Sequence, residues 1–573
     1  MPANDKRVVK VNRRSGYDKH YRNTLTANVG TLVPILVDEL CPDSKVNLKI
    51  NVAACLPPLV SDTYMNVRLR VEAFAVPHRL CQANFDEFFS DFESKYISEI
   101  DVDSDAPINA PYSDDIDVKA CMPLIELVDG DNSVAVSGGA GSLCDYFGIE
   151  LPESECIVPV APFVAYHLIW QEWYRNPRVQ KKCFVPVLFD SYIGENSSSF
   201  VNVSSSPVVA ATLPYCRFYF DDDAQPYIPV YVNGVDIPDG YMKLADGEYI
   251  YSLRQRNFGL DFFTAAMVEP QQGPAAVVKF GENGDPVDGF SIASLRAQNS
   301  LQQFRERNNL TSPRYQQQIY ARYGCAPSDG IIQRPILIGA ATYDVYSHGV
   351  DTTAVSEVTP IGADNNSPFN GSVGNRAGNG FASGSDFIIS GFHAKEPMYL
   401  FVLASLVPEV SYSQNMNPIF ERYKGLGSIT DMANPILQNV GPQPIYNRQV
   451  MASANNGTGI FAYTDRYSDW MFKNNEVHGH FKYGQDLSSF VSQRHFSGDL
   501  APEFGSEFLT IPTDYLDDVM QFTSDALGFG YWMDCLMEYK VSMPLQEYAI
   551  PSLQDPGYEH GKTIVLRKNG QLL

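Results

Sequence analysis

The sequence predicts a mainly β fold that carries long loop insertions and a few helices. Residues 67–73 alternate apolar and polar side chains with a period of two, which is typical of a strand with one face in water. Short β-like runs separated by turn residues recur between residues 184 and 253. At 573 residues the chain exceeds an ordinary single domain, so it holds either two or three domains or one scaffold with long insertions.

The composition is that of a folded, acidic protein. Hydrophobic residues make up 44% of the chain and aromatic residues 12%, which is enough for a packed core. Forty-two Lys and Arg against 67 Asp and Glu give a net charge of −25. This charge disfavours nucleic-acid binding by the whole surface, so any contact with nucleic acid must be local.

The cysteines and the apolar runs indicate where the chain is made. Its ten cysteines are scattered and form no C-x-x-C pair, which favours free thiols and synthesis in a reducing cytoplasm. The basic amino terminus is not followed by an apolar stretch that would serve as a signal peptide. The longest apolar run, residues 398–407, has half the length of a membrane span, so we expect no membrane insertion.

Residues 1–23 form a predicted basic N-terminal arm, in which seven Lys and Arg against two Asp give a local charge of +5. One interpretation is a solvated tail; the other is an arm that lies against phosphates and releases their counterions. Tyr17, His20 and Tyr21 lie among these charges and are suited to stacking on unpaired bases. The candidate nucleic-acid contacts are Lys6, Arg7, Lys10, Arg13, Arg14, Lys19 and Arg22.

Strand patterns and then a helix follow the arm. We expect strands over residues 29–40, 46–60 and 66–80, with Pro77 closing the third. Residues 162–180 predict a buried helix of about 14 residues, which Asn176 before Pro177 ends. Its predicted buried face holds Phe163, Tyr166, Ile169 or Trp170, and Trp173, with His167, Gln171 and Glu172 mostly off that face.

An acidic loop is predicted at about residues 86–131, which hold 14 Asp or Glu. Asp101, Asp103 and Asp105 resemble the start of a calcium loop, but Ala106 and Tyr112 replace the Gly and the bidentate Glu that an EF-hand needs. We therefore reject an EF-hand. A looser divalent-ion site and a solvated surface loop both stay open.

Two further insertions and a helix pair complete the outline. Residues 184–253 predict a β-rich surface loop, and residues 349–386 a loop rich in Gly, Asn and Ser. Residues 291–323 predict two helices broken at 311–313, with a net charge of +4 that suits either a solvated face or a contact to an acidic subunit or DNA. Their expected buried sides hold Leu295, Leu301, Phe304, Tyr315, Ile319 and Tyr323.

No pattern indicates an enzyme, a cofactor or a metal site. The run GYEHGKT at residues 557–563 has one residue too few between its glycines for a P-loop and too little chain after it for the helix. His478, His480 and His495 lack a cysteine or carboxylate at matching spacing to complete a metal shell.

Taken together, several stretches resemble the major capsid proteins of microviruses, small icosahedral single-stranded-DNA phages, and most closely their gokushovirus branch. The helix carries the pattern Y-x-L-I-W-x-E-W-Y-R, and Ile332, Gln333, Arg334 and Pro335 form the core of a second motif. The others lie, in the family's order, at residues 14–18, 34–39, 74–80, 256–273 (with Gly259 and Leu260 inserted), 397–414, 461–482 and 495–500.

The resemblance implies an eight-stranded antiparallel jelly-roll β-sandwich, and a single capsid domain over residues 24–573 with the loops as insertions. It implies a non-enzymatic shell protein that self-assembles, about 60 copies together, into an icosahedral T=1 particle around a circular single-stranded DNA. Implied partners are minor virion or pilot proteins, internal assembly proteins and a host-surface receptor. The implied location is the virion, after synthesis in the host cytoplasm.

Two other classes stay open on the residues alone. A carbohydrate-binding or carbohydrate-active β-sandwich shares the strand pattern, the aromatic content and the acidic composition. A phage spike or decoration protein would also be β-rich. Size separates the three, because only a shell protein closes into a particle of several megadaltons.

Overall fold

The structure is a computed structural model of the whole chain. It describes residues 15–81, 141–183, 253–271, 292–352, 376–422 and 441–544, with short gaps at 61–62, 65, 150–155, 160, 181, 311–313, 326–327 and 330–332. It also describes isolated strands at 124–127, 215–216, 219–220, 226–227, 241–242, 567–568 and 571–572. Most of the acidic loop at 86–131, most of the surface loop at 184–253 and residues 1–14 of the arm lie outside the described residues.

Nine antiparallel strands form one curled sheet. The strands are β1 (Ser15–Asp18), β2 (Tyr21–Ala27), β3 (Val33–Leu40), β4 (Lys45–Cys55), β5 (Val67–Pro77), β6 (Ile336–Thr352), β7 (Arg376–His393), β8 (Met398–Pro408) and β9 (Tyr531–Met543). Their order is β1-β9-β4-β7-β6-β5-β8-β3, and β2 also pairs with β9, so β1 and β2 share one place. The sheet therefore has eight strand positions.

The order of the strands at these eight positions is that of a jelly roll. One half holds β1 with β2, β9, β4 and β7, and the other holds β6, β5, β8 and β3. From β2 onward, successive strands alternate between the halves except for β5 and β6, which pair with each other. The halves join where the far ends of β6 and β7 pair, from Tyr346 opposite Phe381 to Thr352 opposite Arg376. The predicted eight-stranded antiparallel jelly-roll β-sandwich is confirmed.

Alternating side chains from both halves fill the space between them. Along β9, every second residue from Tyr531 to Met543 is buried, and the residues between them face outward. Val46, Leu48 and Ile50 of β4 do the same. One continuous apolar core results, because each strand contributes only one of its faces to it.

Two glycines allow β6 and β7 to cross closely over each other. A Cβ atom at Gly339 of β6 would lie 1.8 Å from the backbone oxygen of Ile388 of β7. A Cβ atom at Gly384 of β7 would lie 2.1 Å from the ring of Tyr343 of β6. Strand β7 starts at Arg376, so the loop predicted over 349–386 is wrong for residues 376–386, and residues 349–352 belong to β6.

The remaining elements are short or lie outside this sandwich. The helices are α1 (Leu143–Tyr146), α2 (Ala161–Ile169), continued by a π-helical turn at Trp170–Tyr174, α3 (Ile292–Leu310), α4 (Tyr315–Tyr323), α5 (Asn447–Val450), α6 (Ser468–Met471), α7 (Ser506–Leu509) and α8 (Ser524–Leu527). The 3-10 helices among the described residues are His78–Leu80, Pro418–Glu421, Gly479–Phe481 and Ser488–Phe490. Small sheets pair Leu124–Leu127 with Cys156–Pro159 and Tyr215–Cys216, Lys182–Cys183 with Tyr241–Met242, Tyr219–Phe220 with Pro226–Tyr227, Ser411–Tyr412 with Asn475–Glu476, Gln443–Tyr446 with Ile460–Thr464, and Arg567–Lys568 with Gln571–Leu572.

Candidate assembly surfaces and the basic arm

The tryptophan helix covers the outer face of one half of the sandwich. Side chains of α2 and its π-helical turn, among them Phe163, Tyr166 and Trp170, form a second apolar cluster with residues of β5 and β8 such as Phe74 and Phe401. The predicted helix is confirmed, and it ends at Tyr174, two residues before Asn176. The chain itself therefore covers the part of this outer face that β5 and β8 form.

For one residue of this helix, the sequence pattern predicts the wrong face. His167 was expected mostly off the buried face, but it is buried. Arg254 donates a hydrogen bond from Nε to Nδ1 of His167 at 3.0 Å, and its guanidinium lies 4.9 Å from the centre of the Trp170 ring. The reason is that the segment around Arg254 packs along the side of the helix that the pattern assigned to solvent.

Several of the sequence motifs meet at the end of this helix. Trp173 Nε1 donates a hydrogen bond of 2.9 Å to the carbonyl oxygen of Pro335, and the Arg334 guanidinium lies 4.3 Å from the centre of the Trp173 ring. Arg79, which follows strand β5, donates a hydrogen bond to Gln333 and forms an ion pair of 2.7 Å with Glu396. Residues 74–80, the tryptophan helix and residues 333–335 are thus held together by direct contacts.

A buried ion pair lies beside this meeting point. Arg256 contacts Glu72 of β5 at 2.7 Å, and the Tyr174 hydroxyl donates a hydrogen bond of 2.5 Å to the same carboxylate. Burial opposes ionisation of Glu72, but the Arg256 charge and the hydrogen bonds from Arg256 and Tyr174 outweigh it, so the pKa of Glu72 is lowered. Glu72 is therefore ionised and fully paired inside the protomer.

A second group of motifs meets at the other side of the molecule. Tyr412 donates a hydrogen bond of 2.8 Å to Asp261, which joins residues 397–414 to residues 256–273. Gln414 and Phe496 exchange two hydrogen bonds, of 3.0 and 2.8 Å, which joins residues 397–414 to residues 495–500. These contacts hold residues 256–273 and 495–500 to the segment that follows β8.

The described part of the basic arm forms strands β1 and β2 at the edge of the other half. Arg22 of β2 makes two hydrogen bonds, of 2.7 and 2.6 Å, to Asp534 of β9, and Lys19 lies 2.7 Å from Asp38. These two candidate DNA contacts are therefore paired with carboxylates within the protomer and are solvent-exposed. Tyr21, expected to stack on bases, donates a hydrogen bond of 2.7 Å to Ile35 O.

The other candidate contacts, Lys6, Arg7, Lys10, Arg13 and Arg14, lie outside the described residues. Nucleic-acid contact by any member of the arm stays a prediction. Residues 15–23 of the arm are mostly strand, since β1 and β2 pair with β9.

The helix pair is correctly predicted but its buried sides are not. Helices α3 and α4 flank the expected break at 311–313. Leu295, Leu301, Phe304 and Tyr323 are exposed, and Ile319 is half-buried. An apolar helix side indicates that another surface packs against it. The sequence pattern does not specify whether that surface belongs to the same protomer.

Two of the histidines considered as metal ligands contact other side chains. Within the described ranges, no group of three or more His, Cys, Asp or Glu is arranged to hold a metal ion. His478 pairs with Glu476 at 3.4 Å, and His495 stacks on Tyr483 with 3.7 Å between ring centres.

No described helix combines the length and apolarity that crossing a membrane requires. Of the ten cysteines, Cys41, Cys55, Cys81, Cys144, Cys325 and Cys535 are free thiols.

Comparisons with known proteins agree with this architecture. A family model described as "Capsid protein (F protein)" matches residues 7–553. The chain is 22% identical to capsid protein VP1 of Chlamydia phage 1, over 95% of this chain and 96% of the relative. It is 23% identical to capsid protein VP1 of Spiroplasma virus 4, over 92% and 93%, and 22% identical to that of Bdellovibrio phage phiMH2K, over 94% and 95%.

The family match confirms the resemblance to microvirus capsid proteins of the gokushovirus type, and these relatives are named for a structural role rather than a catalytic one. Capsid proteins associate with copies of themselves, so the chain is a self-assembling component of a virion. The chain belongs to the phage capsid protein (F protein) family.

Proposed function

We propose that this chain builds the T=1 icosahedral shell of a small phage, with about 60 copies closed around a circular single-stranded DNA. The observation that carries the proposal is the family match over residues 7–553 on a chain whose strand order is that of a jelly roll. Assembly proceeds by burial of apolar surface between copies and is opposed by repulsion between chains of charge −25.

The packaged molecule gives the direct test. Particles purified from infected cells and treated with nuclease are expected to retain a protected nucleic acid. On extraction this nucleic acid should be circular and sensitive to a nuclease specific for single strands. Protected double-stranded DNA or RNA, or empty particles only, would contradict the proposal.

The basic arm is the proposed inner contact with the DNA. Lys6, Arg7, Lys10, Arg13, Arg14, Lys19 and Arg22 would neutralise phosphates without reading sequence, supported by the local charge of +5 in an acidic chain. Lys19 and Arg22 could do so only by exchanging or sharing their partners Asp38 and Asp534.

Residues 184–253 are the proposed outward loop that contacts a host-surface receptor. The support is their β-rich, turn-rich sequence and their position between the tryptophan helix and residues 256–273, where the family carries a variable projection. Limited proteolysis of intact particles is expected to cut first within residues 184–253. Cuts elsewhere with none in this loop would contradict the placement.

The remaining partners and the place of synthesis follow from the same family. We propose that minor virion or pilot proteins and internal assembly proteins join the shell, and that the chain is made in the host cytoplasm. Free thiols at six described cysteines support synthesis in a reducing compartment. Mass spectrometry of purified particles tests the partners, since particles that hold this chain alone would contradict them.

A further inference from the structure

Five large apolar side chains project into solvent from two helical turns. The 3-10 helix Pro418–Glu421 carries Ile419 and Phe420, with exposed fractions of 57% and 77%. Helix α6 carries Trp470 at 53% and Met471 at 57%, and Phe472 follows it at 65%. We call these five residues the 420/470 surface.

The two turns are fixed to each other by an ion pair. Arg422, which follows the 3-10 helix, pairs with Asp469 of α6, and both side chains are largely buried. The same guanidinium lies 4.2 Å from the centre of the Trp470 ring, and Gln443 donates a hydrogen bond of 2.9 Å to Asp469. The surface is therefore preorganised, so little conformational entropy remains to be lost when something binds to it.

The charges of this region are neutralised within the protomer. Glu421 accepts hydrogen bonds from Arg448 and Gln449, and its side chain is 10% exposed. Asp469 is paired with Arg422 as described above. Although the whole chain carries −25, the two carboxylates beside the 420/470 surface thus add no unpaired charge to it.

The area of the surface is large for an unpartnered patch. Aromatic side chains offer about 150–250 Å² each, so five large side chains at these exposures present on the order of 600 Å² of mostly apolar area. Patches of that size mark interaction sites, and about 800 Å² per partner makes a standard protein–protein interface. The 420/470 surface would supply most of one.

We propose that the 420/470 surface is a contact between copies of this chain in the assembled shell. The inference rests on the proposed shell-forming function and names one surface that performs it. A second copy is the fitting occupant, because chains of charge −25 repel one another and an apolar surface whose neighbouring charges are already paired adds little to that repulsion. DNA is disfavoured, because the described cations beside the surface, Arg422 and Lys473, already lie against Asp469 and Glu476.

Two single substitutions test the proposal, each outside the ion pairs that hold the surface. We expect Phe472→Ser and Phe420→Ser to give protomers that fold and unfold like the unaltered chain but form closed particles with a yield lower by about tenfold or more. Phe387→Ser is the matched control, because Phe387 of β7 is 70% exposed on a different face. Its particles are expected to form with normal yield.

Three outcomes would overturn the proposal. Normal particle yield from both test variants would do so, whether infectivity is kept or is lost because another virion protein or a receptor binds here. Normal particle yield together with a lowered unfolding midpoint of the protomer would indicate that residues 423–440 of the same chain pack on the 420/470 surface. Equal loss of yield in Phe387→Ser would make the effect unspecific.

A second measurement needs no substitution. Hydroxyl-radical labelling of Trp470 and Met471 should be several-fold weaker in intact particles than in dissociated protomers, and equal labelling would overturn the proposal. Failure of the unaltered chain to form closed particles would instead contradict the proposed function.

Discussion

The Trp173 indole N–H donates a hydrogen bond of 2.9 Å to the carbonyl oxygen of Pro335, a buried residue immediately before β6. Arg334 lies against the same ring at 4.3 Å. Two segments that are 162 residues apart in sequence are thereby held in one place. Trp173 thus attaches this helix to the sandwich, in addition to the apolar contacts of Phe163, Tyr166 and Trp170.

Replacing Trp173 by Phe should therefore weaken the protomer. The buried Pro335 carbonyl would lose its donor and Arg334 the larger part of its stacking surface, which together predict a loss of about 1–3 kcal/mol in the free energy of unfolding. Denaturant unfolding of dissociated protomers measures this. Trp470→Phe, which also reduces an arginine contact but lies at an exposed tryptophan, should cost less than Trp173→Phe, and equal losses in both variants would contradict the role of Trp173.

The Glu72–Arg256 pair predicts a pH dependence of stability. The folded-state pKa of Glu72 is lowered from its ordinary value of 4.5, so its stabilising contribution is present above about pH 4.5 and is lost as pH falls through the folded-state pKa. Glu72→Gln leaves Arg256 without its counter-charge, and we expect about 3 kcal/mol of destabilisation near pH 7. The difference between the two proteins, measured by unfolding of protomers, should shrink below pH 4.5. A difference that stays constant down to pH 3 would show that Glu72 does not act through its charge.

Gly339 predicts a steric limit where β6 crosses β7. An alanine there would place its Cβ atom 1.8 Å from the backbone oxygen of Ile388, so the strands must separate. We expect Gly339→Ala to cost more than about 2 kcal/mol or to abolish soluble expression. Gly16→Ala is the control, because no atom lies within 4 Å of a Cβ atom at Gly16. Equal tolerance of both changes would contradict the close approach of the strands.

The fold and the sites differ in how far the sequence predicts them. The alternation in residues 67–73 and the helix at 162–174 are predicted because each shows apolar residues at a fixed period. Strand β7 is missed because its glycines resemble a loop, whereas Gly380 and Gly384 leave room for Leu56 and Tyr343. Hydrophobic periodicity does not reveal glycines that are needed for close packing between strands.

The exposed apolar residues show a second limit. Leu295 and Phe304 were expected to be buried because they share a helix side, yet they are exposed in the protomer. Hydrophobic periodicity reports that a side chain is suited to burial, not which molecule buries it. The 420/470 surface is missed for a related reason, since its five residues come from two short turns 50 residues apart and have no period.

The basic arm predicts a salt-dependent contact with DNA. Replacing Lys10, Arg13 and Arg14 by Gln removes three phosphate contacts, which should flatten the slope of log K against log salt concentration for single-stranded DNA by about 2. Binding by dissociated protomers across a salt series measures the slope. Lys395→Gln, at an exposed site after β7, should leave it unchanged. An unaltered slope in the triple variant would remove the arm from the DNA contact.

The mass of the purified assembly tests the central claim most directly. About 60 copies of a 63.7 kDa chain give a protein shell of about 3.8 MDa, which native mass spectrometry or analytical ultracentrifugation resolves and electron microscopy should show as a closed sphere. A discrete assembly intermediate that converts to that sphere is also consistent. A folded species that stays near 64 kDa, or a trimer or pentamer that never closes, would contradict the account.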